Sequence, residues 1–122
     1  MASHTQSRIA TFKATHAMSR GHAVKFGADL NTVSKGSAAS DLLIGIAQTT
    51  VTTAGDLVEV AMNGGGAAGL AGGTINLGNK LTVHTDGTLL ASTTANDQVV
   101  GVAMQDAVAG DIFAMEVALS NY

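Results

Sequence analysis

The chain has 122 residues, a formal net charge of −3 and neither cysteine, proline nor tryptophan. Six scattered basic residues and 3% aromatics exclude the basic, base-stacking surface that nucleic acid requires. The lack of Cys excludes disulfides, thiolate catalysis and the usual structural zinc sites. With 46% hydrophobic and 12% charged residues the chain is not disordered, and no apolar run approaches the roughly 20 residues of a membrane span.

In chain order, residues 1–12 form a polar N-terminal arm without the apolar stretch of a secretory signal. The arm ends on Ile9-Ala10-Thr11-Phe12, which can pair as a strand. A β domain over 13–122 follows. Its first repeat unit, 21–62, alternates at Val24 and Phe26, then runs Leu42-Leu43-Ile44-Gly45-Ile46-Ala47, then alternates again at Val58, Val60 and Met62. Alternation predicts half-buried strands, and the continuous apolar run predicts a strand buried on both faces. At most one short helix is expected, around Asn31–Leu42. Residues 63–73 hold six Gly in eleven and are expected to be a flexible or closely packed connector.

The second unit, 78–118, repeats the first. Gly21 matches Gly78, Asp41 matches Asp97, Gly45 matches Gly101, and Ala54-Gly55-Asp56 matches Ala109-Gly110-Asp111. Asp86-Gly87 between Leu-Thr-Val-His-Thr and Thr-Leu-Leu-Ala-Ser predicts a two-residue hairpin, because both central positions can take positive φ. Ala-Gly-Asp before each last strand predicts a glycine turn. Ile46, Val60, Val102 and Val117 are the expected core.

Motifs with chemistry are scarce. Gly64-Gly65-Gly66-Ala67-Ala68-Gly69 fits the dinucleotide pattern, but Gly72-Gly73 follow where the pyrophosphate-binding helix is needed. His4, His16, His22 and His84 lack metal spacing and are expected at the surface. The repeated Asp41, Asp56, Asp97 and Asp111 are expected to accept backbone N–H bonds in turns. No nucleophile–base pair, P-loop or zinc motif occurs, so no cofactor and no enzymatic activity are expected.

The phrases Leu43-Ile44-Gly45-Ile46-Ala47…Ala54-Gly55-Asp56-Leu57-Val58-Glu59-Val60 and Val99-Val100-Gly101-Val102-Ala103…Ala109-Gly110-Asp111-Ile112-Phe113 resemble those of the capsid decoration, or cement, proteins of tailed bacteriophages. Ser19-Arg20-Gly21-His22-Ala23-Val24 is similar to an early strand of that family, with His where Asp is usual. The resemblance implies an all-β fold, a small β-barrel or β-sandwich built from two similar β units. It implies a structural virion protein, made in the host cytoplasm, that stabilises the outer surface of the capsid. Its partners would be the major capsid protein and itself, as a homotrimer. It also implies an N-terminal arm reaching the shell, here through Ser3, His4, Thr5, Gln6, Ser7, Arg8, Ile9 and Phe12. The alternative is a carbohydrate- or surface-binding β module of a phage tail or fibre, against which the scarcity of aromatic residues counts.

Overall fold

The computed structural model describes residues 9–121 except Ala28, Leu30 and Ser40. Its strands are β1 (Ile9–Ala14), β2 (Ala23–Phe26), β3 (Thr32–Lys35), β4 (Leu43–Ala47), β5 (Leu57–Met62), β6 (Gly66–Leu70), β7 (Lys80–Val83), β8 (Leu89–Ala91), β9 (Gln98–Ala103) and β10 (Ile112–Asn121). No helix occurs among the described residues, and the fold is all-β. The short helix expected within 31–42 is instead β3 and a loop. Val33 pairs with both Phe26 and Ala14 and is fully buried. β-Branched Thr32 and Val33 suit that pleated position better than a helix.

β1 to β5 close into a barrel in the order β1-β3-β2-β4-β5, and β6 to β10 form a sheet in the order β6-β10-β9-β7-β8. Counted within each unit, both run first, fifth, fourth, second, third. In the first unit the first and third strands then pair in parallel, Lys13 with Thr32 and Ala14 with Val33, which seals the barrel. In the second unit this closure shrinks to one parallel bridge, Ala71 with Leu89. The antiparallel bridges Met18–Val51 and Ile75–Ala107 also correspond.

The cores repeat residue by residue. Ala14, Met18, Val24, Val33, Ala47, Val51, Val58 and Val60 fill the first barrel. Ala71, Ile75, Leu81, Leu89, Ala103, Ala107, Phe113 and Met115 take the same places in the second unit. The repeat therefore starts at Ile9 and at Gly66, earlier than the motifs at Gly21 and Gly78 suggest. Two boundaries change with it. Ile9–Phe12, grouped with the arm, belong to β1, and Gly66–Leu70, within the expected connector, are β6. Only Asn63-Gly64-Gly65 link the units. Gly69 sits in β6 because a Cβ there would meet Leu89, Met115 and Phe113. The large Phe113 side chain fills the room that Phe12 takes in the first unit.

Glycine is required at two pairs of matched positions. Gly55 and Gly110 turn the chain at φ 94° and 92°, where a side chain is strained. In the strands, a Cβ on Gly45 would collide with the Ala61 carbonyl, and one on Gly101 with the Glu116 carbonyl. The β7–β8 hairpin forms as expected, but only Gly87 takes positive φ. The His84 carbonyl accepts the Gly87 N–H at 3.0 Å and the His84 N–H bonds to the Thr88 carbonyl at 2.7 Å, so the loop spans three residues, Thr85 to Gly87.

Candidate interaction surfaces

The two units are joined by more than their linker. Ala23, Leu43, Ile46 and Ala61, on the outer wall of the first barrel, share one buried cluster with the interior of the second unit. Leu43 sits beside Gly36 and Val83 at this junction. Backbone bonds cross it from Leu70 N–H to the Gly21 carbonyl (3.1 Å), from Ala23 N–H to Gly87 (2.9 Å) and from Gln98 N–H to Ala39 (2.8 Å). Gln48 completes the seam: its amide accepts the Ala68 N–H at 3.1 Å and donates to the Ala68 carbonyl at 3.2 Å.

This junction makes equivalent positions unequal. Ala23, Ile46 and Ala61 stand abreast on β2, β4 and β5 and are fully buried. Lys80, Val102 and Glu116 stand abreast on β7, β9 and β10. There Lys80 and Glu116 are exposed and Val102 is only half-buried. The expectation that Val102 belongs to the core is corrected: among the described residues the outer wall of the second unit has no cover like that which Ile46 receives. Ile46, Val60 and Val117 are fully buried as expected.

The end of each unit where its last strand finishes differs as well. In the second unit Val83, Val100 and Val117 close that end and are buried in the shared cluster. The matching residues of the first barrel are Phe26, Ile44 and Met62. Phe26 is 41% exposed, and Ile44 and Met62 are half-buried. Phe12 meets Phe26 edge-on, with ring centroids 6.1 Å apart. The opposite end of the second unit carries a further apolar patch, Leu77, Met104 and Val108, each more than half exposed. Arg20, Gln48 and Thr52 hold those places in the first unit.

Of the residues assigned to shell contact, Ser3, His4, Thr5, Gln6, Ser7 and Arg8 lie outside the described residues. Ile9 is exposed at the start of β1, paired with Ala61. Phe12, three residues on, faces the barrel interior and packs against its core. The alternation of the strand separates these two side chains onto opposite faces.

Of the four repeated acids, Asp41 and Asp111 accept backbone N–H bonds in turns as expected, while Asp97 accepts the Ser92 hydroxyl instead. Asp41 accepts the N–H groups of Ser37 (2.8 Å) and Ala38 (3.1 Å) and pairs with Lys25 at 3.2 Å. Its partial burial alone would raise its pKa, but these partners outweigh burial and hold it below the usual carboxylate value. Asp29 accepts from Asn31 and Asp111 from Val108. Asp86 accepts from the Thr88 hydroxyl and N–H, which lower its pKa. Among the described residues no three His, Cys, Asp or Glu side chains gather as a metal site.

His22 departs from the surface position expected for it. It is 9% exposed, accepts the Ser19 N–H on Nδ1 at 3.1 Å and lies against Gly87. Burial, then the nearby Lys35 charge, lower its pKa below the ordinary histidine value. It borders an open cleft of about 340 Å³ with Met18, Lys35, Thr50 and Val51. His22 and Lys35 are the titratable groups of that lining, and the Asp86 charge acts on His22 from nearby, against the lowering.

A family model for phage cement proteins matches residues 2–119, which takes in both β units. Among solved structures, the N base of the head fibre gp8.5 of bacteriophage phi29 shares 24% identity, covering 96% of this chain and 98% of its own, at a TM-score of 0.68. That likeness shows a common fold. No curated protein matches the chain.

Proposed function

The chain belongs to the phage cement protein family, and from that premise we propose that it binds between major capsid protein subunits as a homotrimer and braces the shell. A capsid-associated structural role and a place on the virion surface follow from the family. The match over residues 2–119 carries the finer proposal, because it spans the whole described fold rather than one strand motif. The molecule suits the task physically. A decoration protein is held by modest contacts that symmetry repeats, so avidity replaces a single deep site.

The shell contact is assigned to Ser3 to Arg8 together with Ile9. Ile9 stands exposed where this segment joins β1, while Phe12 contributes inside the barrel. Residues 13–121 hold both cores, so deleting residues 2–8 removes no buried apolar group described here. The truncated protein is expected to melt within about 0.5 kcal/mol of the full chain and to bind expanded shells far more weakly. Thermal unfolding measures the first expectation, and co-sedimentation with shells lacking the protein measures the second. No binding by the full chain rejects capsid decoration. Equal binding by the truncated chain moves the contact onto the β units.

A further inference from the structure

We propose that copies of this chain associate head to tail, the open end of the first barrel in one copy receiving the outer wall of the second unit of the next. The inference rests on the self-association part of the proposed function and names its surfaces.

The molecule carries the pattern for this contact internally. Within one chain, the Ala23–Ile46–Ala61 wall shares a buried cluster with Val83, Val100 and Val117, the end residues of the second unit. Each partner in that docking has a matched copy left over. The leftover end is Phe26, Ile44 and Met62, apolar and partly exposed. The leftover wall is Lys80, Val102 and Glu116, with a half-exposed apolar centre. What covers the second unit's end is the wall of a like module. A like module therefore fits the first unit's end, and a second copy of the chain supplies one.

The substitutions suit a contact between separate chains. The internal wall has Ala on both sides of Ile46, as permanent burial demands. The wall of the second unit has Lys80 and Glu116 around Val102, an apolar centre with a charged rim, as in interfaces that also meet solvent. Phe26 and Met62 replace valines and project further, toward a wall set off by longer side chains. An end-to-wall contact uses two different surfaces, so it forms a ring when the rotation closes.

The test uses the absence of native cysteine. Phe26→Cys and Val102→Cys variants, carrying tags of different length, are mixed and mildly oxidised, with Phe26→Cys and Leu57→Cys as the control pair. The expected result is a mixed disulfide between the first pair, at least tenfold above the control. The mass of the untagged full chain in solution is measured by light scattering alongside. A monomer at micromolar concentration overturns both self-association and this geometry. An oligomer in which Phe26→Cys cross-links to itself, or not at all, overturns this geometry alone. Thermal unfolding of each variant verifies that it is folded before oxidation.

Discussion

Gln48, beside the Gly21 carbonyl that takes the Leu70 N–H, serves the outer edge of β6 where no described strand pairs. Its side-chain amide satisfies both the N–H and the carbonyl of Ala68, as a neighbouring strand would. An unpaired edge is a template for unwanted pairing. Gln48→Ala is expected to destabilise the fold by about 1–3 kcal/mol and to raise aggregation on mild heating; urea denaturation and turbidity check this. His22 bears on pH. Its folded-state pKa is lowered, so the unfolded chain binds the proton more readily. The sign follows from linkage: the stability is complete above the ordinary histidine pKa near about 6.5 and declines as pH falls below it. Urea midpoints between about pH 7.5 and pH 5.5 should fall for the natural chain and fall less for His22→Gln. An equal decline in both would assign the effect to other groups.

Matched strands behave differently because their surroundings differ. β4 and β9 share an apolar-Gly-apolar-Ala pattern, and Gly45 and Gly101 face the same carbonyl obstacle. Yet Ile46 on β4 is fully buried and Val102 on β9 is only half-buried. Ile46→Ala is expected to cost about 2–5 kcal/mol through lost burial and a cavity. Val102→Ala should cost about 1 kcal/mol or less, as at a partly exposed position. Chemical denaturation of the two variants side by side checks the contrast, and equal losses would contradict the assigned packing. β6 shows the same dependence on context. Gly-Ala-Ala-Gly-Leu has poor strand propensity, but five register pairs with β10 hold it.

At the scale of the whole molecule, a duplicated five-strand module becomes asymmetric by docking onto itself. The first copy closes with two parallel pairs. The second closes with one bridge and gains its cover from the first copy's wall. Apolar surface is thereby buried at the junction, while Phe26 and Val102, at the matching end and wall, stay partly exposed. A small domain buries a limited share of its surface, so this internal docking adds core that neither module has alone.

Much of this was legible in the chain itself. Alternation at Val58–Met62 and Phe113–Val117, the paired Ala-Gly-Asp turns and the glycines at 45 and 101 determined an all-β, duplicated fold. Local sterics and periodicity act within a few residues, so they leave their mark on the sequence. The phrases around those glycines also carried the resemblance to phage cement proteins. The tertiary structure alone decided that Gly66–Leu70 is a strand, that His22 is buried, that Phe12 points inward and that Ile46 and Val102 part company. Each of these depends on what packs against the residue from far along the chain, and burial is a property of that neighbour as much as of the residue.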